Sequence, residues 1–414
     1  MTKKFFKFDY IPSGVTPDKF KNLKAYITEE VNEKNSVLKL DDKSLEIRTK
    51  SKTIVITQSD KSYHGRLLDL NIYKTGNFFE GTIFRALASF AYLNRMKSKI
   101  PPAGPVLVTL DSGVFQNFNH GTEIDLKSLA LCYNQNGDEG MVRDYIPEYC
   151  KSYHPDKMKE LAIKQSGDTK KLKKLIKRED FNLINIIQGR NYQELKAWLD
   201  IVYDPDLSDM AIGSQSKSVI AVLPMLAHLI FDKKIKRLHF LGFNSHRQII
   251  LLALVSQYID VTIDGSEAVN LSFKLRIMWT LLPEGRLHKT WVGNSPSPDK
   301  LRSLGGQSAC NCRACQIVPL LGAYQDDKDM VASLLFMHNQ SMHNQFVDLW
   351  TNWINNDSKK ALEQYIRAFG GELLQCNYQK RAKLRKEFVV IKNYLELVAT
   401  KGTKEAQRAY SSYL

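Results

Sequence analysis

The chain has 414 residues, 43% of them hydrophobic, so it is long and apolar enough to bury the core of one large domain or of two. It carries 59 Lys and Arg against 44 Asp and Glu, and the formal charge of +15 indicates a polyanionic partner, with nucleic acid as the first candidate. No segment is apolar over the length that a signal peptide or a bilayer span requires. Composition therefore excludes a membrane-spanning protein and predicts a soluble, cytoplasmic one.

The first part of the chain, up to about residue 100, alternates β-like runs such as FFKFDYI, SLEIRTK and KTIVIT with one helical stretch, FEGTIFRALASFAYLNRM. Short branched apolar runs then alternate with amphipathic segments of helix length, a pattern typical of parallel βα units. The runs end in polar or glycine residues, namely Asp111, Gln188, Gly213, Gly242 and Asp264. We expect a (β/α)8 TIM-type barrel over residues 1–300 with a shared site at these strand ends, and a doubly wound open sheet is the lesser alternative.

Two basic segments look like additions to this pattern. Residues 164–180, KQSGDTKKLKKLIKRED, predict a basic helix or helix-loop, which is usually a solvated face but can also contact phosphates. We assign Lys173, Lys174, Lys177 and Arg178 there as candidate nucleic-acid contacts. Residues 346–414 predict a helical, basic C-terminal region, with a second basic block at 378–388.

A cysteine cluster, SACNCRACQ, precedes that C-terminal region. Cys310, Cys312 and Cys315 stand as C-x-C-x2-C, and 22 residues separate Cys315 from His338 in an apolar, helix-like stretch. Three thiolates and one imidazole make a closed tetrahedral zinc site, so we predict a structural Zn²⁺ and a zinc-binding subdomain over residues 301–345. His343 is the alternative fourth ligand.

The run LVTLDSGVFQ places Asp111 at a strand end, where a carboxylate can accept protons or bind N–H groups. Phe115, four residues on, can stack on a planar ring. Together with the cysteine cluster and the NIIQG run, this motif resembles the tRNA-guanine transglycosylase superfamily over roughly residues 105–345. Members of that superfamily are barrel enzymes that exchange guanine for a 7-deazaguanine base.

The resemblance implies roles for individual residues. Asp111 matches the carboxylate that contacts the base and moves protons, and Asp264 in IDVTIDGS is the best match for the nucleophile, with Asp260 as competitor because the spacing has one extra residue. The matching base-binding positions are Ser112, Phe115, Asp144, Gln188, Gly189, Gly213, Leu241 and Gly242.

Base exchange at a sugar carbon supports this division of labour on chemical grounds. A carboxylate can attack C1′ and hold the sugar as a covalent intermediate, while a second carboxylate gives a proton to the leaving purine and takes one from the incoming base. Asp264 and Asp111, at the ends of two strands, fit these two tasks.

Departures from the family pattern indicate which branch of the superfamily the chain resembles. Val114 replaces the second glycine of the family's D-S-G-G, and IGSQSKS stands where bacterial members have a glycine-rich segment. These differences favour the DpdA-type DNA transglycosylases, which insert 7-cyano-7-deazaguanine (preQ0) into DNA. A tRNA-modifying enzyme and a non-catalytic nucleic-acid-binding subunit remain alternatives, and for protein partners a homodimer and accessory DNA-modification proteins both stay open.

Overall fold

The computed structural model describes most of the sheet and the helices that surround it. The described residues are 6–12, 37–40, 44–48, 53–57, 85–91, 93, 107–114, 124–147, 154–213, 218–243, 245–265, 267–275, 277–291, 328–371 and 378–413.

The strands fall into three sheets. Their bounds are β1 Phe8–Pro12, β2 Val37–Leu40, β3 Ser44–Arg48, β4 Thr53–Thr57, β5 Arg85–Ser89, β6 Leu107–Asp111, β7 Glu139–Met141, β8 Asn182–Ile187, β9 Asp209–Ile212, β10 Arg237–Phe240, β11 Asp260–Gly265, β12 Ile277–Leu281 and β13 Leu287–Trp291. Strands β2, β3 and β4 form a small antiparallel sheet between β1 and β5 in the chain, and β12 pairs with β13 as an antiparallel hairpin.

The main sheet has eight parallel strands in the order β1-β11-β10-β9-β8-β7-β6-β5. From β5 to β11 neighbours in the sheet are also neighbours in the chain, and β1 then pairs with β11. The two edge strands, β1 and β5, contact each other, so the sheet curls back on itself. The predicted α/β class with a TIM-like sheet is confirmed.

Helices cover the outer face of this sheet and continue beyond it. Their bounds are α1 Leu126–Gln135, α2 Pro155–Leu175, α3 Tyr192–Val202, α4 Val219–Ala227, α5 His246–Val255, α6 Glu267–Asn270, α7 Lys328–Asn356, α8 Ser358–Phe369, α9 Tyr378–Lys401 and α10 Thr403–Ala409. Side-chain caps start several of them: Asp125, Asn191 and Asp357 accept backbone N–H groups in the first turns of α1, α3 and α8. Short π-helical segments follow α4 and α6. None of the described helices combines the length and apolar character needed to cross a bilayer.

A buried ion network closes the amino-terminal end of the sheet. Arg237, the first residue of β10, donates to Glu139 Oε2 and to Asp209 Oδ2, both at 2.6 Å. Thr109 Oγ1 also donates to Glu139 Oε1 at 2.5 Å. Because each charge has a buried partner of opposite sign, the network is tolerated inside the core.

Three sequence expectations differ from the structure. The segment predicted as helical near residue 85 contains strand β5, and its described helical residues are Phe90, Ala91 and Leu93. Residues 164–175 are the second half of the sheet-covering helix α2, which buries Gln165, Asp168 and Leu172, so they are not an addition to the fold. The predicted boundary after residue 345 falls inside α7.

The C-terminal helices pack on the helices of the sheet. The Arg247 guanidinium of α5 donates to Glu387 of α9, and Tyr365 of α8 donates to the same carboxylate at 3.1 Å. Thr403 of α10 donates to Asp232, which follows α4, at 2.7 Å. These contacts join the C-terminal helices to the main sheet's helical layer.

Candidate active site

The described site residues lie at the carboxyl ends of neighbouring parallel strands. Asp111 is the last residue of β6, Gln188 and Gly213 follow directly on β8 and β9, and Asp264 is the penultimate residue of β11. The carboxyl ends of parallel strands meet at the same end of the sheet, so these groups lie together at that end. Four more belong to connections at that end: Ser112, Gly189, Leu241 and Gly242. Phe115 lies outside the described residues.

Asp264 is held by the neighbouring strand connection. Its Oδ1 accepts the backbone N–H of Gly242 at 2.9 Å, and the side chain remains 14% exposed. Asp260 opens the same strand, where its Oδ1 accepts the N–H of Lys7 at 2.8 Å. Asp260 and Asp264 are four positions apart on the strand, which corresponds to about 13 Å. The geometry therefore favours Asp264 over Asp260 as the group that faces a substrate at the strand ends.

Among the site residues, Asp111 has the pKa that is most informative about function. Burial, with the nearby negative charges of Asp144 and Asp264, raises the pKa of Asp111 to about 7, although N–H groups of Gly113 and Ser112 oppose the rise. A carboxyl group with a pKa near neutrality exchanges a proton readily in either direction, as a general acid and base must.

Asp144 and Gln188 form a buried polar pair beside Asp111. Gln188 Nε2 donates to Asp144 Oδ1 at 2.8 Å, and the N–H of Tyr145 donates to the same oxygen at 2.7 Å. Burial raises the pKa of Asp144 to about 6 in spite of these two hydrogen bonds. Gln188 Oε1 is buried and has no hydrogen-bond partner within the described part of the chain. An unsatisfied acceptor beside a carboxylate is suited to a ligand edge that offers N–H donors.

Gly213 makes room for this pair. A Cβ atom at this position would lie 1.9 Å from Gln188 Oε1, far inside any permitted contact. The Gln188 side chain, which follows the neighbouring strand β8, therefore requires the glycine that follows β9.

The Asp-Ser-Gly turn after β6 also has a physical reason. Gly113 has a φ of +78°, and a Cβ there would approach the backbone nitrogen of Ala91 to 2.8 Å. Ser112 is fully buried, and its Oγ accepts the N–H of Asp144 at 3.4 Å. Val114, where the resemblance expects a second glycine, packs against the core.

His239 is a site residue that the sequence analysis missed. It is 1% exposed inside the sheet, its Nδ1 lies 2.9 Å from Thr262 Oγ1, and its Nε2 lies 3.6 Å from Asp264 Oδ1. The available signal was the alternation in KRLHFLG, which puts Arg237 and His239 on the same face of a strand otherwise lined by apolar residues. His239 Nε2 therefore faces the Asp264 carboxylate from beyond hydrogen-bond distance, and it has no hydrogen-bond partner among the described residues.

The predicted zinc ligands are described only in part. Cys310, Cys312 and Cys315 lie outside the described residues. His338 is 2% exposed on α7, and its Nε2 donates to the Trp279 carbonyl at 2.7 Å. Metal-ligating histidines commonly donate their other ring N–H to a carbonyl, so this hydrogen bond suits a zinc ligand that binds through Nδ1.

The four basic residues predicted to contact nucleic acid lie near the C-terminal end of α2, which leads into the amino end of β8. Lys173 pairs with Asp204 at 2.8 Å and with Asp206 at 2.9 Å. Arg178 donates to the Gly137 carbonyl at 2.7 Å and pairs with Asp180 at 2.9 Å. Lys174 and Lys177 lie beside them. This cluster is thus at the opposite end of the sheet from Asp111 and Asp264.

Neither the models of known protein families nor the curated proteins with which the chain was compared give a match. The functional assignment consequently depends on the site geometry and on the sequence motifs.

Proposed function

We propose that the protein is a base-exchange transglycosylase of the tRNA-guanine transglycosylase superfamily, which replaces guanine in DNA with a 7-deazaguanine, preQ0 being the first candidate. The observation that carries the proposal is the convergence of Asp111, Asp144 and Asp264 at one edge of the sheet, with the pKa of Asp111 raised to about 7. Carboxylates whose charges raise the pKa of a neighbour destabilise the fold, so a purely structural role would rarely bring them together.

In the proposed first half-reaction, an Asp264 carboxylate oxygen attacks C1′ of the target nucleoside. The bond between C1′ and the base nitrogen breaks, its electron pair leaves with guanine, and protonated Asp111 supplies the proton that neutralises the departing base. The product is a glycosyl ester of Asp264.

The second half-reaction reverses these steps with a new base. Asp111, now ionised, takes a proton from the incoming 7-deazaguanine, whose nitrogen attacks C1′ and displaces Asp264. The chemistry consumes no external acid or base, because one carboxyl group gives the proton in the first step and regains it in the second. The N–H of Gly242 would keep Asp264 oriented through both steps.

Base selection is assigned to Asp144 and Gln188. The guanine edge that carries N1–H and the amino group presents donors, which Asp144 and Gln188 Oε1 can accept. Loss of either partner would leave buried polar groups unpaired, at about 1 to 3 kcal/mol each. Phe115 is proposed to stack on the face of the same base.

The choice of DNA rests on the sequence departures and on general resemblance, and the charge of +15 fits a nucleic acid of either kind. Because Lys173, Lys174, Lys177 and Arg178 are remote from the strand ends, a polymer that reaches both would have to pass around the side of the sheet. Their contact with nucleic acid remains a prediction. Neutralising all four and measuring the salt dependence of DNA binding tests it, since each lost phosphate contact flattens the slope by about 0.9 in duplex DNA.

A structural zinc ion is part of the proposal, held by Cys310, Cys312, Cys315 and His338. The His338 hydrogen bond to Trp279 supports this choice of histidine. A closed site of this kind would stabilise the fold and take no part in base exchange. Cys312→Ser should lower both the zinc content and the melting temperature of the purified protein, whereas unchanged zinc would contradict the assignment.

Incubation with labelled preQ0 and either plasmid DNA or unmodified tRNA tests the function. We expect label in DNA, most of all where the target guanine is unpaired or distorted, because extruding a base from a duplex costs a few kcal/mol. Label confined to tRNA would transfer the same chemistry to the tRNA enzymes. No label in either polymer, with binding intact, would favour the non-catalytic subunit.

A further inference from the structure

A cluster of potential metal ligands lies beside the candidate active site and plays no part in the proposed exchange. His246, Glu267 and His343 each offer one ligand atom, and these atoms all lie within 4.8 Å of one another. We propose that this cluster binds a divalent transition-metal ion through two imidazoles and one carboxylate, which leaves His338 as the histidine of the predicted cysteine site.

The donor set determines the class of ion. Two histidines and one carboxylate suit zinc and its first-row neighbours, whereas magnesium and calcium prefer sets built from oxygen ligands. In tetrahedral zinc, ligand atoms lie about 3.4 Å apart. No pair would therefore have to close by more than about 1.4 Å, which side-chain rotation of the partly exposed Glu267 and His246 can supply.

The two histidine ligands are carried by anchored elements. His246 follows Ser245, whose hydroxyl and backbone form a reciprocal capping box with Gln248 at the start of α5. His343 lies one turn beyond Asn339, whose side chain accepts from the Trp279 N–H and donates to the Ile277 carbonyl, both at 2.8 Å. A site assembled on such elements loses little conformational freedom when an ion binds.

The surroundings also suit a bound ion. His246 Nε2 is buried without a hydrogen-bond partner among the described residues. Trp279 packs on His343 with ring centroids 4.0 Å apart, and Phe346 packs on His246 at 5.2 Å. An apolar shell of this kind limits water around a metal and stabilises its coordination.

Lys289 is the competitor for the ion. Its Nζ lies 2.5 Å from Glu267 Oε1, and its side chain is 46% exposed. In the metal-free protein the ammonium group neutralises Glu267. When a metal ion binds, Lys289 can turn outward into solvent. Glu267 then exchanges the ammonium group of Lys289 for the metal ion as its positively charged partner.

The position of the cluster indicates what the ion would stabilise. His246 follows Gly242 by four residues, and Glu267 follows Asp264 by three. A metal bridging these segments would connect the loops after β10 and β11, which carry the Gly242 to Asp264 hydrogen bond. The site is proposed on its own ligands and does not depend on the exchange reaction.

The test is titration of full-length, as-purified protein with Co²⁺, followed by visible absorption and calorimetry. Cobalt in the cysteine site would show thiolate charge-transfer bands, whereas cobalt bound by two histidines and a glutamate shows only the weaker ligand-field bands. We expect a binding event of the second kind. Glu267→Gln should weaken it at least tenfold, and Lys289→Met should strengthen it by roughly fivefold, the upper range for an exposed ion pair.

His288→Ala provides the matched control, because this exposed histidine lies on the same hairpin next to Lys289 and should leave binding unchanged. His246→Ala should abolish the event while any thiolate bands persist. The proposal would be overturned if wild-type protein bound cobalt only with thiolate bands. It would also be overturned if Glu267→Gln bound cobalt as tightly as the wild type. If His246→Ala fails to fold, the paired Glu267 and Lys289 variants still decide the question.

Discussion

Replacing Asp111 with Asn would isolate the energetic effect of its burial. The pKa of Asp111 rises from 3.8 to about 7 in the folded protein, mainly because of burial and secondarily because of Asp144 and Asp264. A rise of about 3 pH units at 1.36 kcal/mol per unit corresponds to roughly 4 kcal/mol as an upper value. The folded state holds this proton more tightly than the unfolded chain, so the associated stability is present below pH 4 and is lost as pH rises through 7.

Urea denaturation at pH 5 and pH 8 measures this effect. Between these values the wild-type protein should lose up to about 3 kcal/mol more unfolding free energy than Asp111→Asn, since two units of the pH range lie below a pKa of about 7. Asn keeps an acceptor for the N–H groups of Ser112 and Gly113 but does not titrate. Asp260→Asn, at the far end of β11, is the control and should follow the wild type. Equal pH dependence in Asp111→Asn and wild type would refute the assignment of a raised pKa to Asp111.

Three further predictions concern the reaction and the fold. The kcat/KM for the polynucleotide should fall above pH about 7, where Asp111 loses its proton. The kcat/KM for the incoming base should instead rise toward that pH, because this step needs ionised Asp111. If both kcat/KM values changed with pH in the same direction, Asp111 could not serve both steps. Arg237→Met would leave the buried carboxylates of Glu139 and Asp209 without their cation, so urea denaturation should show that the unfolding free energy falls by about 3 to 5 kcal/mol. A fall below about 1 kcal/mol would contradict a buried ion network. Gly213→Ala should displace Gln188 and weaken base binding by roughly tenfold in calorimetry, with polynucleotide binding unchanged; equal base affinity would disprove the close contact.

The alternating part of the fold was predictable from local sequence. Apolar runs bounded by helix signals correspond to strands β6, β8, β9, β10 and β11, and Asn191 and Ser245 start helices where their sequence neighbours indicate. These segments are buried on both faces, so their hydrophobic patterns are continuous and easily recognised.

Strands β5 and β7 were beyond such reasoning. The β5 sequence, RALAS, is rich in residues that favour helices, and only its pairing with β6 makes it a strand. Strand β7 is three residues long and contains Gly140, so it has almost no local signal. In both cases tertiary pairing outweighs the intrinsic preference of the chain.

The candidate site likewise contains some residues that could be placed from the sequence and others that could not. Asp111, Gln188, Gly213 and Asp264 could be placed at strand ends from the sequence alone, because each ends an apolar run. The run KRLHFLG marks His239 as a polar residue in an apolar strand, but its position near Asp264 depends on how the next strand aligns Thr262 and Asp264 with it. The grouping of ligand atoms around His343 likewise depends on helix packing between residues distant in the chain.

A covalent adduct between Asp264 and the sugar is the most direct test of the proposed chemistry. Wild-type protein and Asp260→Asn, mixed with target DNA and quenched in denaturant before the second base is added, should both retain DNA on a denaturing gel, and peptide mapping should place the sugar on Asp264. Asp264→Asn should form no adduct while still binding DNA. An adduct that persists in Asp264→Asn, or one that maps to another residue, would contradict the proposed nucleophile.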